Sequence, residues 1–263
     1  MSEINLNIVL IIKKEVLMFK LFSSYILIIL VIIAVSPCLG GQEDRIFKGA
    51  IGFGIDTMAG NYGRVIKVTN LNASGPGSFV EALHSKGPRL VVFEVGGVID
   101  LGLKKISITE PYLTVAGQTA PSPGITLIKG GLQIRTHDIL FRHIRIRPGD
   151  GEKVKVPWSV DGMTTIGRDA YNVIVDHCSF SWGTDECLSV SGARNGTLSS
   201  HKVTLSNNII AETLYDSIHP KKCPHSRATA INDFCRDIAV IRNIYAHNNR
   251  RHPIFKPETT GVI

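Results

Sequence analysis

Several short stretches of this 263-residue chain hold side chains whose types and spacing could do chemistry. Asp161 stands in Ser-Val-Asp-Gly-Met, Asp176 and His177 in Val-Asp-His-Cys-Ser, and Asp185 and Glu186 in Gly-Thr-Asp-Glu-Cys. The run His-Pro-Lys-Lys-Cys-Pro-His occupies 219–225, and Arg250, Arg251, His252 and Pro253 lie near the end, with Lys256 just beyond. Carboxylates are the donors a hard divalent cation takes. Read alone, Asp161 before Gly162 is a turn and Asp185–Glu186 a solvated loop. His219, Cys223 and His225 are of zinc-ligand type, but their spacing is not that of a standard structural site, and Pro220 and Pro224 favour a loop on a binding face.

Such residues need a scaffold, and the sequence repeats weakly. YLTVAGQ at 112, DILFRHI at 138, NVIVDHC at 172, KVTLSNN at 202 and DIAVIRN at 237 share an alternating apolar pattern followed by a polar turn. Spacings this long and uneven do not fit hairpins, and a sandwich would show strands every ~8–12 residues. They fit coils of a parallel β-helix, an all-β single-stranded solenoid with insertions on one face. The sixth and seventh positions of the segments would then stack as a ladder at one corner, where side-chain amides satisfy turn backbone groups. Helical pattern is scarce. Ser78 to Leu83 is the best candidate, with Ser78 as N-cap and Glu81 three residues on.

The composition agrees. Hydrophobic residues are 44% of the chain and charged residues 19%, so wholesale disorder is excluded. With 25 glycines, 12 prolines and only 7% aromatics, the chain suits many short strands and turns rather than a helical bundle. The net charge of +7 permits a polyanionic partner: nucleic acid, acidic lipid or acidic polysaccharide. No nucleic-acid reader motif accompanies it.

Tyr25 to Val35 is an unbroken apolar run preceded by Lys13, Lys14 and Lys20. It is too short to span a bilayer comfortably and reads as the core of a secretory signal over 1–41, cleaved near Gly40 or Gly41, with Met18 an alternative start. Pro37 argues against lipoprotein processing at Cys38. Cleavage removes three lysines and two glutamates, so +7 becomes +6. The mature domain, 42–263, would be secreted and free of stable membrane association. No linker divides it. Of Cys178, Cys187, Cys223 and Cys235, the pair Cys223–Cys235 lies in loop-like sequence and is the expected bridge, whereas Cys178 sits in a strand pattern and is expected in the core.

GFGIDTMAGNYGRVIKVTNLNASGPGSFVEAL, LVVFEVGGVIDL and YLTVAGQTAPSPGI resemble the N-terminal part of the pectate lyases of polysaccharide lyase family 1. ILFRHIRIRPGD, VDG, NVIVDHCSFSWGTDE, VTLSNNIIAE and NIYAHNNRRHPIFK continue the likeness in the same order, over residues 50–256. The resemblance implies a right-handed parallel β-helix, secretion, dependence on calcium, and β-elimination of polygalacturonate. Such cleavage requires that the C6 carboxylate be neutralised, that a base take the C5 proton, and that the enolate charge be stabilised while C4–O breaks.

By the resemblance, Asp161 is a calcium ligand and Asp185 or Glu186 another. Neighbours on a strand face opposite ways, so one of that pair would point at the ion, and register favours Asp185. Ser189 stands where calcium-dependent relatives often carry a further carboxylate. Arg251 matches the arginine used as base, although a guanidinium pKa above ~12 also allows it to stabilise the enolate instead; Arg250 would point away. Lys256 matches a residue that binds a substrate carboxylate. Lys222, with Lys221 and Arg227, is either a uronate contact or a solvated charge. Asp176 and His177 read as structural. Monomer is the default state for this architecture. Two other readings remain: a hydrolase, for which Asp185 and Glu186 are too close together to flank a bond, and a non-catalytic β-helix that binds acidic glycans. The latter is supported by Ser189 and by an apparent C-terminal truncation after Ile263.

Overall fold

The chain divides into residues 1–44 and 45–263. The computed structural model describes residues 17, 18, 20, 46–151, 159–192, 197–221, 225 and 227–263. Of the expected signal segment only Leu17, Met18 and Lys20 are described, each helical; the apolar run and the cleavage region lie outside the described residues, as do Lys222 and Cys223. No helix among the described residues is long and apolar enough to cross a membrane.

The second unit is a parallel β-helix. An eight-stranded sheet forms its first face: Arg64–Val68, Arg89–Phe93, Leu113–Ala116, Ile139–Arg142, Tyr171–Asp176, His201–Ser206, Arg236–Ile241 and Gly261–Val262, in that order. The long strand Ile125–Ile134 turns a corner. Its first half pairs in parallel with Ile144–Arg147, which is followed by Ser179–Phe180, Ile209–Ala211 and Ile244–Ala246 as a second face. Its second half pairs with Met163–Ile166, which is followed by Glu186–Ser191, Arg227–Ile231 and Ile254–Phe255 as a third face. Gly97–Ile108 pairs along both halves, with a register shift between Asp100 and Lys104. All these pairings are parallel, which rules out a sandwich of hairpins.

The sequence repeat is the register of the first face. Leu113, Ile139, Val173, Val203 and Ile238, the second residues of the five segments, stand beside one another in successive coils. All five are fully buried, and Val115, Phe141, Val175, Leu205 and Val240 form the next inward stack. Burying a side chain of this size is worth about 1.5–3 kcal/mol, so the alternating pattern dictates which face turns inward. The first residue of each segment (Tyr112, Asp138, Asn172, Lys202, Asp237) has φ between 49° and 57°. So do the sixth residues His143, His177, Asn207 and Arg242, at 53–56°. One left-handed residue at each end of a strand turns the corner without breaking the parallel ladder, and short polar side chains tolerate that conformation best.

The corner ladder is present at the seventh position. Asn208 Oδ1 accepts from the Cys178 N–H at 2.9 Å, while its Nδ2 donates to Val175 O at 2.9 Å and to Asn243 Oδ1 at 3.0 Å. Asn243 Nδ2 donates in turn to Leu205 O at 2.8 Å. Cys178 is buried in the core as expected. Cys235, however, is a free, buried thiol, so the expected bridge to Cys223 is not formed; Cys235 N–H closes a backbone turn onto Asn232 O at 3.4 Å, and the side chain packs in the core.

Two elements finish the scaffold. The expected helix spans Phe79–His84: Ser78 Oγ accepts from the Glu81 N–H at 3.2 Å and Glu81 Oε2 from the Gly77 N–H at 2.7 Å. Phe79 and Leu83 pack on the first coil's core. The buried Arg89 guanidinium donates to Ala82 O and Leu83 O at the helix end and to Glu110 O and Pro111 O in the next coil. The glycine-rich segment 46–60 lies over the outside of the first face, with Ile46, Phe47 and Ile55 against Leu140 and Ile174. Gly54 has φ +69°, and a Cβ there would sit 2.6 Å from Lys202 O, so only glycine lets the segment lie this close.

Candidate active site

The site lies where successive coils enter the third face. Asp161 stands two residues before Met163–Ile166, Glu186 opens the next strand, Arg227 opens the one after, and Arg250 bridges to Arg227. Glu186 and Arg227 are register partners. One corner of the solenoid thus presents two acids and then two arginines along the helix axis.

The Asp161, Asp185 and Glu186 carboxylates all come within 4.8 Å of one another. Asp185 precedes the strand and lies in a bend, so the strict alternation expected of the pair does not apply, and both carboxylates reach the cluster. Asp161 Oδ2 accepts from Thr164 Oγ1 at 2.6 Å and from the Ser189 hydroxyl. Burial pushes Asp161 up to about 6; the two hydroxyls oppose that rise and the Asp185 charge adds to it. Arg251, with φ +66°, places its guanidinium against Glu186. Burial holds Arg251 below the ordinary arginine value, while Asp185 and Asp161 act in the opposite direction. Arg250 is exposed, as expected of the neighbour that points away.

Asp185 is ringed by donors. His219 Nε2 and His225 Nε2 lie 3.5 and 3.4 Å from its oxygens, Arg227 Nη1 3.5 Å away, and Ser159 Oγ 3.3 Å away. The two imidazoles are buried and stacked, with centroids 3.6 Å apart. His219 Nδ1 accepts from the Lys221 N–H at 3.1 Å, which assigns the proton of the neutral ring to Nε2, the atom that faces Asp185. His219 therefore turns an N–H toward Asp185 rather than the lone pair that a zinc ion would need. The acidic trio does fit a hard cation: its donors are all oxygen, three of its groups can be anionic, and Asp185 Oδ1 is buried with no hydrogen bond of its own. These carboxylates line one polar groove with Gln133, Thr164 and Ser189.

Over 212 residues, 80% of its length, the chain is 38% identical to the probable pectate lyase C of Aspergillus flavus, of which it covers 45%. It is 37% identical over 211 residues to the probable pectate lyase C of Aspergillus terreus, again covering 45% of that protein. The chain is homologous to the pectate lyases. This homologue spans about half the length of the curated relatives it matches. The probable pectate lyase 18 of Solanum lycopersicum is 29% identical over 197 residues, 67% of this chain and 45% of that one. Jun a 1, the major allergen from cedar pollen, superposes with a TM-score of 0.49 at 18% identity, over 87% of this chain and 73% of the other. No family model matches the sequence.

In this pectate lyase homologue the residues expected at the site divide into three groups. Asp161, Asp185, Glu186 and Arg251 converge. Lys256 is half-buried at the far edge of the third face, with its N–H on Ile231 O at 2.9 Å. Lys222 lies outside the described residues; its neighbour Lys221 is exposed. Asp176 and His177 lie on the first face, away from the groove, as structural residues. Asp176 is fully buried and accepts from Arg142, His177, Ser206 and Asn207 at 2.7–2.9 Å. Burial would raise its pKa, but these donors hold it below the ordinary carboxylate value. Thr164 and the contacts of His219 and His225 to Asp185 were not foreseen. Met163–Ile166 reads Met-Thr-Thr-Ile, so polarity alone does not mark Thr164 rather than Thr165 as the threonine that meets Ser189.

Proposed function

We propose that the chain is a secreted, monomeric lyase that cleaves polygalacturonate by calcium-assisted β-elimination and leaves 4,5-unsaturated oligogalacturonates. The observation that carries this reading is the Arg251 guanidinium held against Glu186, one of the three acids that converge in a polar groove. Asp161, Asp185 and Glu186 would hold the calcium ion. When bound, calcium would neutralise the uronate carboxylate and make the C5 proton more acidic.

Arg251 would act at C5 of the bound uronate. Its burial lowers the cost of a neutral guanidine, which suits removal of the C5 proton. In its charged form the same group would instead stabilise the enolate. The electron pair of C5–H becomes the C4–C5 double bond, the C4–O pair leaves with the departing sugar, and solvent protonates that oxygen. Lys256, by the resemblance, and Lys222, by its charge in the 219–225 loop, would bind neighbouring uronate carboxylates. The carboxylates converge on one another rather than facing across a gap, which does not favour a hydrolase.

The test is ultraviolet absorbance of unsaturated uronate on incubation with polygalacturonate, with calcium and with chelator. A calcium-dependent rise that falls at least ~100-fold in Arg251→Ala supports the reading. New reducing ends without absorbance would overturn it in favour of hydrolysis. Folded protein that binds polygalacturonate without cleaving it would overturn it in favour of a glycan-binding β-helix.

A further inference from the structure

We infer that Lys105, two strands before the acidic trio, is a substrate-positioning residue that takes a second uronate carboxylate and fixes the register of the polymer in the groove. This rests on the polygalacturonate reading above and adds a contact at the opposite end from Arg251.

Lys105 is exposed on the long strand Gly97–Ile108 and lines the same groove as Asp161, Asp185, Glu186 and Ser189. Lys105 is register partner to Gly131, and Gly131 lies against Asp161, where a Cβ would come 2.1 Å from Asp161 O. The preceding residue is Gly130, which is partner to Lys104. At Gly131 the floor between Lys105 and Asp161 carries no side chain; Gln133 stands two residues further along the same strand, and beyond Asp161 the groove is lined by Thr164, Ser189 and Asn232.

Parallel strands lie ~4.8 Å apart, so Lys105 stands about 10 Å from the Asp161 level along the helix axis. On the other side Glu186 is followed by its register partner Arg227 and by Arg251, whose guanidinium lies against it. Along the helix axis a cation is thus followed by acids and then by cations. A neutral chain gains nothing from that order. A polyanion with a carboxylate on every sugar can place one on Lys105 and one on the arginines while the carboxylates between them face the acidic trio through a shared cation. An ammonium on a flexible stem is a point charge that suits an anion of this kind without dictating its orientation.

The experiment compares wild type, Lys105→Met and Lys104→Met, the last removing the same charge from a lysine that does not line the groove. Affinity electrophoresis through gels containing polygalacturonate reads binding without turnover, and initial rates on long and on trimeric substrate read catalysis. For Lys105→Met the expected result is weaker retardation and a KM on the long polymer raised about three- to tenfold, with kcat within twofold and the trimer affected less. Lys104→Met should match wild type in both. Calcium binding without substrate, followed as the calcium-induced rise in Tm, should be unchanged in Lys105→Met. Wild-type retardation and KM in Lys105→Met overturn the inference. A change in calcium binding as large as the change in KM also overturns it, because Lys105 would then act only through Asp161. Wild-type protein that is neither retarded by nor active on polygalacturonate overturns the substrate reading itself.

Discussion

Ser189 donates its hydroxyl to Oδ2 of Asp161, the same oxygen that accepts from Thr164 at 2.6 Å. Where the resemblance implies a further carboxylate, this chain has a donor, so the position compensates the charge of Asp161 instead of adding to it. Ser189→Asp should reverse that. A fourth carboxylate at a site only 2% exposed adds repulsion to the trio in the absence of calcium. Chelated Ser189→Asp is expected to lose about 1–3 kcal/mol of stability. It should also reach half-maximal calcium stabilisation at a several-fold lower calcium concentration. Denaturant melts at stepped calcium concentrations check both effects; a looser calcium midpoint would contradict them.

Asp161 makes the metal-free protein sensitive to pH in an unusual direction. Its folded pKa, about 6, lies above the ordinary value of 3.8. A carboxyl raised on folding contributes its stabilisation fully below the unfolded pKa and loses it as pH rises through the folded value. Chelated protein should therefore lose stability between pH 4 and 7 through this group, on the order of 1–3 kcal/mol. Asp161→Asn should remove that loss, because Thr164 and Ser189 can rotate their hydroxyls to suit an amide. The variant is expected to melt higher than wild type at pH 7.5 in chelator and to gain nothing from calcium. A variant that melts lower than wild type in chelator would show that the ionised carboxylate stabilises the fold.

The same arithmetic has the opposite sign at Asp176. Its four donors hold the carboxylate charged at full burial, so its folded pKa lies below 3.8. That contribution is present above the unfolded pKa and is lost as pH falls through the folded value. Asp176→Asn leaves Arg142 facing a neutral amide and should cost about 2–4 kcal/mol at pH 7. It should flatten the acid limb below pH 4 and leave calcium binding unchanged. Urea midpoints across pH 2–7 give the measurement.

The fold was legible because its signal is local. In a parallel solenoid the same two-residue alternation is repeated by every coil, and the five segments stack in the register their starts define. The ladder Asn208–Asn243 was legible for the same reason. The acidic trio was visible only in part. Strand alternation separated Asp185 from Glu186, but Asp185 sits in a bend, where alternation does not hold, and a bend just before a strand leaves no periodic trace. His219 and His225 are six residues apart in a loop, and their convergence on Asp185 depends on the path of that loop. Cys235 was misassigned because loop-like sequence around a cysteine says nothing of whether the thiol itself turns inward, which here it does.

Gly131 offers the sharpest separation of groove shape from backbone strain. A Cβ there would meet Asp161 O at 2.1 Å and both Gly162 O and Val160 Cγ2 at 3.0 Å, so the backbone that carries Asp161 must move by about 1 Å to admit it. Gly131→Ala should cost about 1–3 kcal/mol, the usual scale of overpacking. Because what moves is a proposed calcium ligand, it should also weaken the calcium-induced rise in Tm. Gly102 is the control: it has φ +60° and open space where a Cβ would go, so Gly102→Ala meets backbone strain alone. That variant should lose about 1 kcal/mol and keep the full calcium response. Equal calcium responses in the two variants would mean that the cation site does not depend on the position of Asp161, and would count against Asp161 as a ligand.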